Sequence, residues 1–350
     1  MLHKINKAQP LTWVTPSTIQ IGLGENQIRI EDLDRADQQI VTALYAGIVE
    51  GQQSAIDAAF RAPTGHTQSL IGLLKPLVED HHIPVNARWD ALAFAEIART
   101  SLDYQVNGEM VLAERCQRTV HIDQLDRTGL LLAKGLLASG IGKIITHDNG
   151  LVLNTDIGEL GYPKELLGDS RKKAAGRVLD ELAASDQTKG RLHFIEAKHK
   201  ADFKISFALT VGHLAISPRT YSRWLARDVN HMAIRFGLND AEVSPIVIPG
   251  QSPCLNCYQE ALVDNDESWP IIASQLLALP RMRDDSAALL TTTGLAMRSI
   301  LRNLDEQAGF VSIRSKDSEY AQGYLIDYGS GNVTRSRFDF HQLCSCRSTN

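Results

Sequence analysis

The chain has 350 residues, 43% hydrophobic, 22% charged and 6% aromatic, the proportions of a folded globular protein rather than a disordered, collagenous or coiled-coil one. A formal net charge of −5 and a pI near 6.1 argue against a dominant phosphate-binding surface, because non-specific nucleic-acid affinity rests on clustered Lys and Arg. No run approaches the roughly 18 apolar residues of a membrane span, and the leading tail Met1–Lys7 runs into polar residues instead of an apolar signal core, so a cytoplasmic protein of two domains is expected, with no nucleic-acid and no membrane partner.

In chain order, Leu11–Gly24 alternates apolar and polar residues and breaks at glycines, and Gln27–Glu31 alternates again, which predicts a hairpin or small meander. Asp34 is placed to cap a helix with Ile40, Val41, Leu44 and Tyr45 on one face and Gly47 near its end. Helical patterns follow around Ala55–Phe60 and Thr67–Val78, and strands with three short helices in this span predict a small α+β winged-helix domain over residues 1–85. Residues 86–117, with the helical run Trp89–Ile97, read as a helical linker.

From Arg118 the pattern changes. Strand Thr119–Asp123, helix Thr128–Ala138 and strand Ile141–Asp148 make a βαβ unit, the start of a largely parallel sheet. Helix Arg171–Ala184, strands Leu192–Glu196 and Ile205–Val211, helix Thr220–Phe236 and strand Val243–Ile248 continue the alternation, so 118–350 is read as one Rossmann-type α/β domain. Asp186–Gly190 and Arg314–Gln322 read as loops.

Five cysteines are unevenly placed: Cys116 stands alone, Cys254 and Cys257 form C-x-x-C, and Cys344 and Cys346 form C-x-C. Four thiolates can enclose Zn2+ tetrahedrally, and with all four positions filled by protein such a site is structural rather than catalytic. A redox pair or plain buried thiols remain the alternatives, although no thioredoxin-like βαβ context surrounds either pair. His341 lies near enough in sequence to be a ligand in principle, but four cysteines leave it no vacancy.

In an α/β domain the phosphate-cradling loop follows the first strand, where backbone N–H groups and a helix N-terminus face the anion. Here that loop is Asp123-Gln124-Leu125-Asp126-Arg127-Thr128-Gly129. It keeps a single glycine and sets two aspartates where polyphosphate would sit, which is unfavourable unless a cation or Arg127 compensates. Asp148, ending the second strand, suits ribose hydroxyls as well as it suits a loop or helix-cap role. His81-His82 reads as a solvated loop pair, Cys116 as a packing residue, Asp264–Glu267 as a solvated turn, and Arg281, Arg283, Asp284 and Asp285 as a surface charge cluster.

Pro249-Gly250, then Pro253-Cys254-x-x-Cys257, Asp266-x-x-Trp269-Pro270 and His341-Gln342-Leu343-Cys344-Ser345-Cys346, with Gly140-Ile141-Gly142 before the second strand, make Arg118–Cys346 resemble the ThiF-like adenylyltransferases related to ubiquitin-activating enzymes. The likeness is nearer to members acting beside cyclodehydratases of thiazole/oxazole-modified peptide pathways. The N-terminal order of strands and helices is similar to PqqD-like winged-helix domains. That resemblance implies capture of an extended leader peptide as an added strand on the edge offered by Leu11–Ile21 or Gln27–Glu31, and delivery to a YcaO-type enzyme by a homodimer. An architectural role without peptide stays open. A DNA-reading winged helix is disfavoured because Thr67–Lys75 carries one basic residue.

Carried over residue by residue, the resemblance makes Asp148 the ribose contact and Arg171 the cation near the family's lysine position. Glu159 falls where a crossover arginine belongs, and Gly212 where the Mg2+-binding aspartate belongs; a slip of one or two residues would bring Asp156 or Arg127 into play. Adenylation needs Mg2+, cations and oriented amides around three phosphates. A charge reversal at Glu159 and a lost metal ligand at Gly212 therefore argue against active ATP/Mg2+ chemistry. An active adenylyltransferase using Asp148 and Arg171 is the alternative.

Overall fold

The computed structural model describes residues 2–5, 10–24, 27–46, 48–49, 69–70, 74, 78–81, 94–181, 192–194, 204–280, 284–312 and 322–347. The chain forms two compact units, Met1–Glu114 with Phe310–Lys316, and Arg115–Gly309 with Asp317–Asn350.

The first unit runs β1 (Leu2–Ile5), β2 (Leu11–Thr15), β3 (Thr18–Ile21), β4 (Ile28–Ile30), α1 (Arg35–Ala46), β5 (Ile48–Val49), β6 (Val78–His81), α2 (Phe94–Tyr104) and α3 (Gly108–Cys116), whose last residues pass into the second unit. Strands β2, β3 and β4 pair antiparallel in that order, as the alternating pattern predicts. Ile19 and Ile21 of β3 and Ile30 of β4 bury against Ile40, Val41 and Leu44 of α1. Asp34 caps α1 as expected: its Oδ1 accepts the Asp37 N–H at 2.8 Å while Asp37 Oδ2 accepts the Asp34 N–H at 3.4 Å, a reciprocal capping box.

Two expectations change here. The leading tail contains a strand, since β1 lies between β5 and β6 in a second antiparallel sheet. The helix expected over Thr67–Val78 gives way to strand β6 from Val78, which takes His81 into the ladder opposite Leu2; of the rest, Ser69, Leu70 and Leu74 are helical, and Leu70 and Leu74 are buried. The pattern at Ala55–Phe60, His82 and most of the run Trp89–Ile97 lie outside the described residues.

The second unit runs β7 (Thr119–Ile122), α4 (Arg127–Ala138), β8 (Lys143–Thr146), α5 (Arg171–Glu181), β9 (Leu192–Phe194), β10 (Phe207–His213), α6 (Pro218–Leu225), β11 (His231–Phe236), β12 (Asp240–Val243), α7 (Leu255–Asn265), α8 (Trp269–Leu276), α9 (Ser286–Gln307), β13 (Gln322–Asp327) and β14 (Val333–Arg337). Its sheet has the order β14-β13-β12-β11-β10-β7-β8-β9. From β9 to β11 the pairs are parallel, and from β11 to β14 antiparallel. Alternate residues sort to two cores, the mark of strands covered on both faces. Val120, Ile122, Leu209, Val211, Met232 and Ile234 pack with α4, α5 and α9. Ala208 and Ala233 face the other way, toward Tyr221 and Trp224 of α6 and the cysteines.

Helix α4 ends in a Schellman motif: the Ile141 N–H reaches the Leu136 carbonyl at 3.0 Å and the Gly140 N–H reaches Leu137 at 3.1 Å, with Gly140 at φ 97°, which glycine adopts without strain. The single helix expected over Thr220–Phe236 is overturned. Helix α6 ends at Leu225, Asp228 turns left-handed at φ 55°, and β11 follows with five of its six residues buried. Two-sided burial of Met232, Ile234 and Phe236 against Ala233 decides for strand. The strand expected over Val243–Ile248 instead ends at Val243, two residues before Pro245, which has no N–H for a ladder.

Candidate functional site

Two constellations lie in the second unit. The first is the cysteine cluster. Cys254 is the residue before α7 and Cys257 sits in that helix's first turn, where the N-terminal dipole favours thiolates. The segment after β14 brings Cys344 and Cys346 opposite them. Sγ separations are 3.9 Å for Cys254–Cys257, 3.5 Å for Cys254–Cys344 and 3.4 Å for Cys257–Cys346, and all four sulfurs lie within 4.8 Å of one another. A tetrahedral ion with metal–sulfur bonds of about 2.3 Å needs sulfurs about 3.8 Å apart, so the donor set can hold a metal ion.

Three of the four residues are buried beside Tyr221, Trp224, Phe338 and Val247. Burial drives the Cys254 thiol far up, aided by the Cys257 and Cys344 charges, and lifts Cys346 to about 11. Cys257 moves the other way: burial would raise it, but the N–H groups of its surroundings and its sulfur neighbours hold it below the usual thiol value, so the cluster already favours a thiolate that a divalent cation would neutralise. His341 stands apart from this set: its Nε2 lies 2.8 Å from Asp264 Oδ2 and its Nδ1 accepts the Leu343 N–H.

The second constellation sits at the carboxyl ends of β7 and β10, neighbours in space though far apart in sequence. Crossovers leave in opposite directions there, and such switch points are where open α/β sheets bind ligands. Asp126 caps α4, its Oδ1 accepting the Gly129 N–H at 2.9 Å. A Cβ on Gly129 would lie 1.9 Å from the Gln124 carbonyl oxygen, so this glycine serves close packing of the loop on its helix.

Asp148 and Arg171, each nominated separately from the sequence, come together around a third residue, Asp156. Arg171 Nε and Nη2 donate to Asp156 Oδ2 at 3.1 and 2.7 Å, and Nη1 to Asp148 Oδ2 at 3.4 Å. Asp148 also accepts the Leu125 and Gly150 N–H groups, both at 2.7 Å, and Asp156 accepts those of Leu153 and Arg127. All three side chains are buried. Burial alone would lower the Arg171 pKa, but the hydrogen bond and charge of Asp156 more than reverse it. This network ties the loop after β7 to the β8–α5 crossover, while Glu159 is exposed in that crossover.

Sequence reasoning missed three features. Asp284, expected in a surface charge cluster, is only 13% exposed and lies 3.6 Å from His213 Nδ1, while His213 Nε2 lies 3.4 Å from Asp126 Oδ2; Arg281 and Arg283 are outside the described residues. Asp285 caps α9, accepting the Ala287 and Ala288 N–H groups. His121 packs against Trp224 with the rings tilted and their centroids 4.6 Å apart, and its Nε2 meets His147 Nδ1 at 2.8 Å; burial with the charge of Arg223 pushes its pKa well down. The sequence signal for the first was present, a histidine ending an apolar strand, but its partners lie 87 residues back and 71 on.

No protein-family model matches the sequence, and no curated protein sequence matches it. Among solved structures, the chain is similar to E. coli MccB with ATP, at 12% identity and a TM-score of 0.68, covering 99% of each chain. It is similar to the microcin C7 biosynthetic enzyme MccB in complex with N-formylated MccA, at 13% identity and a TM-score of 0.67 over 99% of this chain and 100% of that one. It also resembles selenomethionine PaaA, at 13% identity and a TM-score of 0.65 over 95% and 99%. The chain therefore shares the mixed α/β fold of MccB and PaaA. Among the described residues no helix is long and apolar enough to cross a membrane.

Proposed function

We propose that this chain is a leader-peptide-binding partner in the biosynthesis of a ribosomally made, post-translationally modified peptide, with a structural zinc in its cysteine cluster and a degenerate nucleotide site. The observation that carries this reading is the mutual engagement of Asp148, Arg171 and Asp156. The groups that would meet ribose and phosphate are bonded to each other and to backbone, and Asp126 stands at the helix N-terminus where a phosphate would sit. The likeness to MccB, whose complex contains the peptide MccA, supports a peptide partner.

The first unit would grip the leader in the manner of a PqqD-like winged helix. Among the described residues β3 is central in its sheet and β2 and β4 are its edges; β2 exposes Trp13 and Val14, apolar side chains that an added strand would cover. Bound leader raises the concentration of the peptide's remainder at a YcaO-type partner enzyme. A homodimer would cover the exposed Ile271, Leu277 and Leu279 of α8 and its continuation.

The test is fluorescence anisotropy with a labelled precursor peptide encoded beside the gene. Saturable binding, weakened by Trp13→Asp and unchanged by ATP, is expected; no binding of any such peptide would remove the reading. The second reading, an adenylyltransferase acting on a peptide through Asp148 and Arg171, is favoured by the likeness to MccB solved with ATP. It requires pyrophosphate exchange that disappears in Asp148→Ala.

A further inference from the structure

Alternation along β7 turns Val120 and Ile122 toward the core beneath α4 and α5 and leaves His121 on the other face of the sheet, against Trp224 of α6. There His121 Nε2 meets the Nδ1 of His147, the residue after β8, at 2.8 Å. His121 is fully buried and His147 half-buried.

Two arginines close over the same indole. The Arg223 Cζ lies 4.4 Å and the Arg227 Cζ 5.9 Å from the Trp224 ring centroid. One guanidinium over an indole is held by the ring quadrupole, but a second brings like charge beside the first. Their charges also reach the imidazoles: burial, then Arg223 and Arg227, pull the His147 pKa down, and both arginines act on His121. Burial lowers the Arg223 pKa too, with Asp123 opposing and Arg227 adding to the fall. Asp123 is one carboxylate against two guanidinium groups, and its Oδ1 is taken by the Val211 N–H at 3.1 Å. Among the described residues no carboxylate lies within ion-pair distance of Arg223 or Arg227.

The unmet hydrogen-bonding groups decide what such a place would take. Arg223 Nε and Trp224 Nε1 are buried without a partner, and both can only donate. Trp224 is fully buried, so its N–H has no bulk water to turn to, and a buried donor left unmet is costly. The missing partner is an acceptor, and two adjacent cations make it an anion. With His121 Nε2 as donor, His147 Nδ1 accepts and its Nε2 bears a hydrogen, a third donor beside the two guanidinium forks. The same tautomer leaves His121 Nδ1, buried and unpartnered as well, as a bare lone pair, which the field of two cations favours over an N–H. Three donor groups suit the three terminal oxygens of a phosphate better than the two of a carboxylate.

We infer that Arg223, Arg227 and His147 form a binding site for a phosphate group on the α6 side of the sheet. This goes beyond the leader-binding reading: it concerns the second unit, and failure of a precursor to bind the first unit would leave it standing. The phosphate can be a free ion or the terminal group of an ester.

Isothermal titration calorimetry on the full chain at low ionic strength separates these sources, with inorganic phosphate, methyl phosphate and acetate as probes. Low-millimolar binding of a phosphate probe is expected, and roughly tenfold weaker binding in Arg227→Gln, the loss of one charge-assisted hydrogen bond. Arg227 is exposed, so its replacement spares the fold and a lost signal is a lost site. Arg227→Lys should recover part of the affinity, since it keeps the charge without the fork. Arg219→Gln, exposed one turn earlier on α6 than Arg223, should leave it unchanged. Tighter binding of inorganic phosphate assigns the site to a free ion, and tighter binding of methyl phosphate to an ester. Equal affinity for acetate overturns the inference. So does equal weakening by Arg219→Gln, the mark of diffuse surface charge, or no saturable heat from either phosphate.

Discussion

Arg171→Met is the sharpest perturbation of the second unit. The guanidinium is 6% exposed and holds Asp156, 3% exposed, and Asp148, 7% exposed, so methionine keeps most of the volume and strands two buried carboxylates. Breaking a buried pair by removing one partner costs about 3–5 kcal/mol, and at roughly 2–4 °C per kcal/mol for a unit of this size the melting temperature falls by about 6–20 °C. Arg171→Lys keeps the charge but not the fork that meets Asp156 through both Nε and Nη2, and should fall between. Scanning calorimetry without nucleotide reads the effect. A melt within about 2 °C of the parent for Arg171→Met would mean that Arg171 does not hold the crossover, and would return it to the role of a phosphate ligand.

Three further outcomes follow from the same geometry. Metal analysis of the purified chain should find one zinc per chain, and Cys254→Ser or a strong chelator should lower the stability of the second unit by several kcal/mol, seen as a lost or early calorimetric transition. Asp305→Ala should cost about 3–5 kcal/mol in urea unfolding, because Asp305 accepts from Arg115 Nε and Nη2 at 2.8 and 2.6 Å with both side chains almost fully buried. His231 is buried with its Nδ1 toward the Val229 carbonyl, and burial pulls its pKa down to about 4. The unfolded chain therefore binds the proton first, and this residue's contribution, about 3 kcal/mol, is present above pH ~6.5 and lost as pH falls toward 4; His231→Gln should flatten that part of the stability profile.

The elements with local signals were legible from residues alone. The alternation at Leu11–Ile21, the cap at Asp34 and the βαβ opening through Thr119–Thr146 are where the patterns put them, because period and capping act within a few residues. The four cysteines were legible because few arrangements other than a shared ion explain two close thiol pairs in a chain this long. What failed was long-range. His231–Phe236 is apolar enough for helix or strand, and only its neighbours on both sides of the sheet settle it. Helix α9 carries apolar residues at Leu289, Ala296, Ile300 and Leu304 behind an aspartate cap, yet its Thr-Thr-Thr-Gly stretch weakens the local preference that would announce it. Asp148 and Arg171 could be nominated singly, but Asp156, which joins them, and Asp284, which faces His213, owe their importance to contacts no spacing encodes.

The meeting of Cys254 with Cys344 spans 90 positions of sequence, and inside that span lie α8, α9 and the outer antiparallel strands β13 and β14. During synthesis the early thiol pair must wait, incomplete, until that whole stretch has emerged. Sealing the cluster is thus a late event in maturation; with the proposed zinc in it, a shortage of that ion would be felt first as a failure to close that long excursion of chain, the parallel strands before it being already made.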